Sequence, residues 1–299
     1  MRPAARAVIF LSTPPVRNPD RQVYGEAMGF PLLEETADRV AFRITPSKTF
    51  RFDRTEETVS PAHLAFEVRH STFESSSRLI EEAGLAVSEV RETTHTFQRY
   101  FKDADGNLLE IYSHDYIDET ALPQDNPLGV LYLREVGFVV DDFVDCWEDF
   151  RNLGLIETGR GTREGPFCIL ASGTAHAVLN HRSRRWIPID MTALKPDLQV
   201  TLGASLATDS ELTLPALTGE GYDIRIEHTP DFDPSLPERL GVPRVDRSYR
   251  SSISRRVSRN TTSPAVLPRL IVSSYSFSRQ SDDGIKHPSS SFANPNTIR

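Results

Sequence analysis

Two residues of the chain have the types and the surroundings to bind one metal ion. His63 begins the apolar run HLAFEV, and Glu110 lies in a second such run, LLEIYS. Side chains alternate between the two faces of a strand, so Glu110 would share a face with Tyr112, and His63 with Ala65. Imidazole and carboxylate groups are suitable ligands for Fe(II), Mn(II), Zn(II) or Ni(II). Taken singly, the simpler interpretations are a hydrogen-bonded histidine at a strand end and a solvated carboxylate.

The elements that would position these residues form a repeating unit. A strand-like run followed by a helical pattern occurs four times, with starts near residues 7, 63, 132 and 198. Two or three short strand-like segments follow each of the first three helices. A doubly wound parallel sheet needs strands and helices to alternate one for one, which this pattern does not do. We therefore predict an α+β fold built from duplicated units.

Residues that commonly begin or end helices stand at the ends of the predicted helices. Gly29, Gly84 and Gly154 follow the first three helical patterns, and Asp141 or Asp142 is in place to cap the third. Pro215 lies inside the fourth pattern, where proline damages a helix.

The predicted domains follow from these units. Residues 1–119 hold the first pair of units, the polar segment 120–129 with two prolines is a linker, and residues 130–243 hold a second pair. The second pair lacks a closing turn with a following glutamate, so we expect it to be degenerate or truncated. Residues 244–299 are rich in Ser and Arg without an apolar period, and we expect a disordered tail.

A turn motif gives the second unit a family resemblance. The run HLAFEV, a helix and then YFKDADGNLLEIYS place Asp103–Asn107 in the turn and Glu110 three residues after it. This arrangement resembles the best-marked module of the vicinal-oxygen-chelate superfamily, which includes glyoxalases, bleomycin-resistance proteins and ring-cleaving dioxygenases. The segments VYGEAMGF and EVGFVVDDFVDCWEDFRNLGL are similar to other modules of that family. The resemblance covers roughly residues 7–228.

The resemblance implies tandem domains of paired βαβββ modules, each pair forming a cupped sheet. It also implies a divalent metal ion (Fe, Mn, Zn or Ni) held by His63 and Glu110, with positions left open for two adjacent substrate oxygens. A further ligand usually comes from the partner module. No histidine precedes residue 63, and the matching strand of the first module offers only Leu11, Ser12 and Thr13. Glu135 and Gln199 occupy the ligand places of the later modules, and we interpret Glu135 as structural.

We therefore expect a glyoxalase- or dioxygenase-like metalloenzyme for a small molecule with vicinal oxygens, with Tyr100 or His95 as a proton-transfer group. The ring-cleavage signature is partial, because Ala104 replaces its proline and His95 lies too close to Tyr100. One alternative is a metal-independent drug- or metabolite-binding protein of the bleomycin-resistance type. Another is an inactive structural relative that uses its modules to dimerise, so a homodimer stays open.

Composition limits the partners. The formal charge is −8; residues after 243 carry ten Lys/Arg and three Asp/Glu, which leaves −15 on the rest and disfavours nucleic acid as a partner. No run is long enough to span a membrane or to be a secretory signal, and Cys146 and Cys168 sit in apolar surroundings, so we expect a cytoplasmic protein. The arginine-rich segment HRSRRWIP (181–188) could bind an anion, but a strand-edge loop is the simpler interpretation.

Overall fold

The structure is a computed structural model that describes residues 21–45, 48–53, 61–103, 105–122, 126–186, 198–204, 214–228, 235–242 and 276–278. The predicted first strand, near residues 7–13, lies outside these residues. So does most of the predicted tail, and so do residues 123–125 of the predicted linker.

Strands dominate the described chain. They are β1 (Leu32–Glu35), β2 (Arg39–Thr45), β3 (Lys48–Asp53), β4 (His63–Val68), β5 (Arg91–Thr93), β6 (Thr96–Lys102), β7 (Leu108–His114), β8 (Val130–Val140), β9 (Ile156–Gly161), β10 (Phe167–Ser172), β11 (Ala175–His181), β12 (Leu198–Ala204), β13 (Asp223–His228) and β14 (Ser276–Ser278). The α-helices are α1 (Phe73–Glu82), α2 (Phe143–Asn152), α3 (Pro215–Gly219) and α4 (Leu236–Arg239), with a π-helical segment at Arg21–Ala27 and a 3₁₀ turn at His70–Thr72. No helix of the described residues is long and apolar enough to cross a membrane.

The site lies on an eight-stranded sheet with the order β5-β6-β7-β4-β8-β11-β10-β9. At its centre β4 pairs antiparallel with β8, while β7 and β11 pair parallel on their outer sides. This symmetrical order places two βαβββ modules side by side, residues 63–114 and 130–181. The predicted α+β fold is confirmed as a curled, mixed sheet with a few helices.

The pairing of the units differs from the prediction. The sequence predicts that the second unit pairs with the first, whereas the sheet joins the second unit to the third through β4 and β8. The five strands described from the first and fourth units lie together in a six-stranded sheet, in the order β1-β2-β3-β14-β12-β13. The sixth strand, β14, comes from the segment predicted to be a disordered tail and pairs with β3 and β12. Every residue of β4 and β8 is buried, so neither strand serves as an exposed sheet edge, and each needs a neighbour on both sides. The domain boundaries around residues 120–129 stay a prediction.

The predicted helix ends are confirmed. Gly29, Gly84 and Gly154 adopt φ values of 68°, 79° and 87°, the left-handed conformation that follows many helices. Asp142 caps α2, since its carboxylate accepts the Asp145 N–H at 3.5 Å. Pro215 begins α3 instead of damaging a longer helix, because a first-turn residue needs no N–H donor.

Both amphipathic helices bury the faces that their sequences predict. Phe73 and Ile80 of α1 are buried in the core, as are Phe143, Cys146, Trp147 and Phe150 of α2. Cys146 and Cys168 are buried and form no disulfide, as expected for small apolar side chains.

Candidate metal centre

Three buried side chains from three adjacent strands of the eight-stranded sheet converge on one point. His63 belongs to β4, Glu110 to β7 and Glu135 to β8. The His63 Nε2 atom lies 3.7 Å from a Glu110 carboxylate oxygen and 4.0 Å from one of Glu135. One ligand atom from each residue lies within 4.8 Å of the other two. The sheet therefore brings together the two predicted ligands and a third group.

Strand register explains the convergence. Ala65 of β4 stands opposite Glu110 on one side and opposite Glu135 on the other. The two carboxylates therefore lie on either side of the small methyl group of Ala65. His63 is two residues earlier on the same face of β4, so its side chain lies next to both carboxylates. The predicted alternation along β4 and β7 is confirmed.

A β-bulge gives Glu135 its direction. Ala65 pairs with Glu135, but the next residue, Phe66, pairs with Leu133, so Arg134 is an extra residue in β8. Bulges bend a strand and redirect its side chains. Arg134 and Glu135 follow each other in sequence, yet both are buried and the Arg134 Nε atom lies 3.6 Å from a Glu135 oxygen.

The predicted turn fixes the register of β7. The Asp103 carboxylate accepts the Asn107 N–H at 2.8 Å, and Gly106 takes a φ of 84°. The Asn107 side-chain oxygen accepts the Ala62 N–H at 2.9 Å, which ties the turn to the residue just before His63. The turn motif thus fixes the position of Glu110 along β7 relative to His63 on β4.

Hydrogen bonding sets the orientation of the imidazole ring. The His63 Nδ1 atom lies 3.2 Å from the carbonyl oxygen of Leu108, so Nδ1 donates its proton and Nε2 faces the two carboxylates. Burial lowers the pKa of His63, which favours the neutral ring. Metal-binding histidines commonly donate their second N–H to a carbonyl or carboxylate in this way.

The two carboxyl groups have opposite electrostatics. Burial and the charge of Glu135 raise the pKa of Glu110 well above its ordinary value. Burial works against ionisation of Glu135 too, but His176, Arg134 and His63 hold its pKa at about 2. The surroundings therefore favour the charged form of Glu135 and the protonated form of Glu110.

The donor set fits a divalent ion. Ligand bonds of about 2.1 Å place two atoms on one ion roughly 3–4.2 Å apart. The distances from His63 to both carboxylates fall in this range. One imidazole and two carboxylates form a set that suits Fe(II), Mn(II) or Zn(II) and leaves coordination positions open.

The centre forms the floor of a cavity of about 430 Å³. Tyr100, Gln98 and Tyr112 line it beside the ligand candidates, and three arginines, Arg91, Arg160 and Arg184, line it as well. The remaining wall is largely apolar and consists of Leu108, Phe167, Ile169, Val178 and Trp186, together with Glu92 and Thr93. Volumes of this size are typical of small-molecule sites.

The two predicted proton-transfer residues lie in different places. Tyr100 lines the cavity, and its hydroxyl is hydrogen-bonded to Glu110; burial and the carboxylate charges raise its pKa. His95 does not line the cavity. It occupies the two-residue turn between β5 and β6, its side chain is 64% exposed, and its Nδ1 atom lies 3.0 Å from an Asp115 oxygen. The sequence segment around it reads as one strand, but the turn directs the side chain to the surface.

Glu135, which the sequence suggests is structural, lies beside His63 and Glu110. The sequence signal for Glu135 is its position in the first strand of the third unit. Its neighbours could not be predicted, because the pairing of β4 with β8 was not predicted. His176 gave no signal in the sequence; its Nδ1 atom lies 3.6 Å from Glu135. Gln199 lies on β12, outside the eight-stranded sheet.

The eight-stranded sheet resembles known structures. The chain matches a proposed dioxygenase from Bacillus subtilis subsp. subtilis strain 168 at 16% identity, with a TM-score of 0.50, over 84% of this chain and 94% of that one. The chain has the vicinal-oxygen-chelate fold. Fosfomycin resistance protein FosX from Mesorhizobium loti matches this chain at 16% identity over 38% of its length and 93% of FosX, with a TM-score of 0.31. Lactoylglutathione lyase from Agrobacterium tumefaciens matches at 14% identity over 38% of this chain and 96% of that one, with a TM-score of 0.32.

No protein-family model matches the chain, and no curated protein does. The vicinal-oxygen-chelate fold is therefore established by structure, and the chemistry of the site rests on its own residues.

Proposed function

We propose that the chain is a metal-dependent enzyme of the glyoxalase and dioxygenase type, acting on a small molecule with two adjacent oxygens. The convergence of His63, Glu110 and Glu135 within 4.8 Å at the floor of a cavity carries this proposal. A bound divalent ion would supply Lewis acidity and hold the two substrate oxygens.

The orientation of His63 supports a cation at this point. Its Nε2 lone pair faces two carboxylates because its Nδ1 proton is committed to the Leu108 carbonyl. A lone pair and two buried carboxylates repel one another unless a proton or a cation lies between them. A divalent ion satisfies all three groups at once.

The two modules contribute different numbers of ligand candidates to the metal centre. His63 pairs with Leu108, and Glu110 lies two residues further along β7; Glu135 pairs with His176, and Val178 lies two residues further along β11. Val178 therefore stands where a fourth ligand would mirror Glu110. Three protein ligands leave room for a bidentate substrate.

Tyr100 is the proposed proton-transfer group of this chain. Its hydroxyl is buried beside Glu110, and its raised pKa keeps it protonated at neutral pH. It can therefore donate a proton or a hydrogen bond to a substrate oxygen in the cavity. His95→Asn is the matched control, because His95 was the other candidate and is exposed outside the cavity. Once a substrate is identified, we expect Tyr100→Phe to lower kcat about 100-fold and His95→Asn to leave it unchanged.

Metal analysis of the purified protein tests the proposal. We expect about one Fe, Mn, Zn or Ni per chain, lost in the double variant His63→Ala, Glu110→Ala, with a matching loss in Glu135→Ala. Substoichiometric metal in the wild type after incubation with each ion would contradict the proposal. Tight binding of an aromatic drug by the metal-free protein would then support the alternative, a binding protein of the bleomycin-resistance type.

A further inference from the structure

Three arginines surround the mouth of the cavity although they come from distant parts of the sheet. Arg91 belongs to β5 and Arg160 to β9, the two outermost strands in the sheet order, and Arg184 follows β11. All three line the same cavity. The two edges of the sheet meet there because the sheet curls over the metal centre.

None of the three has a carboxylate within ion-pair distance among the residues that the structure describes. Arg160 donates to the Tyr112 hydroxyl at 3.1 Å, and Arg184 donates to the Asn180 side-chain oxygen at 2.7 Å. Other arginines of the same module are paired, as Arg182 is with Asp141 at 2.8 Å. Arg160 and Arg184 are thus oriented by neutral groups, and neither forms an ion pair with any residue that the structure describes.

The wall beside these charges is apolar. The Arg184 guanidinium lies over the Phe167 ring, 4.2 Å from its centroid, and Trp186 is buried with its ring centroid 5.0 Å from that of His63. A guanidinium stacked on an aromatic ring keeps its donor edge free for a planar oxyanion. The segment Arg184–Trp186 therefore presents a cation and an aromatic surface to the same ligand.

The charge balance favours an anion. On the proposed function, a divalent ion offsets the carboxylates of Glu110 and Glu135, so the remaining lining charges are three arginines and Glu92. The net charge of these lining residues is then +2. Charged walls of one sign around a cavity concentrate ligands of the opposite sign.

We propose that Arg160 and Arg184 bind a carboxylate of the substrate, carried on an aromatic or apolar body. Its two adjacent oxygens reach the metal centre while its charged group stays at the mouth. This inference rests on the proposed function for the chelating end of the substrate, but the arginine site itself needs no metal. The arginine-rich segment of the sequence thus contributes to ligand binding.

Matched probes test the charge preference. We would titrate 3,4-dihydroxybenzoate and its neutral counterpart 3,4-dihydroxybenzamide into Mn(II)-loaded protein without oxygen, by calorimetry. We expect the anion to bind about tenfold more tightly, because hydrogen bonds to charged groups are among the strong ones. Arg160→Gln and Arg184→Gln should each reduce that ratio about threefold, while Arg184→Lys keeps part of it.

Arg182→Gln is the control variant, since it removes a neighbouring arginine that is paired with Asp141 and does not line the cavity. Equal affinities for the two probes, no binding of either at millimolar concentration, or an unchanged ratio in the double variant Arg160→Gln, Arg184→Gln would each overturn the inference.

Metal-stripped protein separates this inference from the proposed function. There the probes are benzoate and benzamide, which lack the chelating oxygens. A preference for benzoate that depends on Arg160 and Arg184, in a protein that never takes up stoichiometric metal, would uphold the oxyanion site and reject the metalloenzyme. Stoichiometric metal without any anion preference would do the reverse.

Discussion

Two clusters of histidine and glutamate lie on the same face of β4, only a few residues apart. The open cluster consists of His63, Glu110 and Glu135 and forms the floor of the cavity. The closed cluster consists of Glu67, His114 and Arg134. In it the Glu67 carboxylate accepts from the His114 backbone N–H at 3.0 Å and from Arg134 at 2.8 Å, and its side chain is fully buried.

The clusters differ in charge and in access. The closed cluster balances one carboxylate with one guanidinium, and it does not line the cavity. The open cluster holds two carboxylates, and among the residues that the structure describes only Glu135 lies within ion-pair distance of an arginine, the Arg134 guanidinium at 3.6 Å. Similar residue types thus make a charge-balanced ion network in one place and an acidic site with room for a cation in the other, and Arg134 contacts both. Four variants test whether that distinction is real.

The largest effect is expected from Glu67→Gln. It leaves the buried Arg134 charge with Glu135 as its remaining partner, and removing one member of a buried pair costs about 3–5 kcal/mol of stability. Urea unfolding of the metal-free protein measures this free energy. Adding Arg134→Met should restore a large part of the loss. A loss below about 1 kcal/mol would mean that the closed cluster is not a structural network.

Glu110→Gln should change stability little and metal affinity strongly. It leaves no buried cation unpaired, so we expect the free energy of unfolding of the metal-free protein to change by less than about 1 kcal/mol. Metal affinity, measured by competition with a chelating dye, should fall about 100-fold, or about 2.7 kcal/mol. If instead stability collapses and metal affinity is unaffected, the open cluster has the structural role and the comparison is reversed.

Gly137→Ala should disturb the floor of the open cluster. A Cβ atom at residue 137 would lie 2.9 Å from the His63 Cβ atom and 2.9 Å from the Trp186 ring. Crowding of this kind costs about 1–3 kcal/mol and should also weaken metal binding by displacing His63. Gly219→Ala is the matched control, because no atom lies within 4 Å of its added Cβ and its φ is not positive. Equal stability of the two variants would argue against tight packing around His63.

The smallest effect is a pH dependence of the closed cluster. Burial lowers the pKa of His114 below its ordinary 6.5 despite the favourable contact with Glu67. The unfolded chain then binds a proton before the folded one does, so this contribution to stability is complete above about pH 6.5 and is lost as the pH falls below it. Unfolding experiments from pH 8 to 5 should show His114→Asn losing less stability than the wild type, by at most about 1.4 kcal/mol per pH unit. Parallel pH profiles would contradict this, because they would mean that His114 binds its proton equally in the folded and unfolded states.

Local sequence signals predicted the elements and two of the three ligand candidates. The run HLAFEV forms β4 from His63 to Val68 as predicted, and the turn motif places Glu110 on the neighbouring strand. These features depend on side-chain alternation and on hydrogen bonds between residues close in sequence, such as Asp103 with Asn107. His95 lies outside the cavity because the two-residue turn between β5 and β6 directs it to the surface, and a turn at this place was not predicted.

The repeated units, the faces of their strands and a histidine and a glutamate suited to one ion can be predicted from local sequence patterns. The pairing of β4 with β8 cannot, and it is this pairing that brings Glu135 beside His63 and Glu110 and places Arg160 and Arg184 at the same cavity. Strand alternation is a local property of the backbone, whereas strand pairing depends on contacts between residues far apart in the sequence.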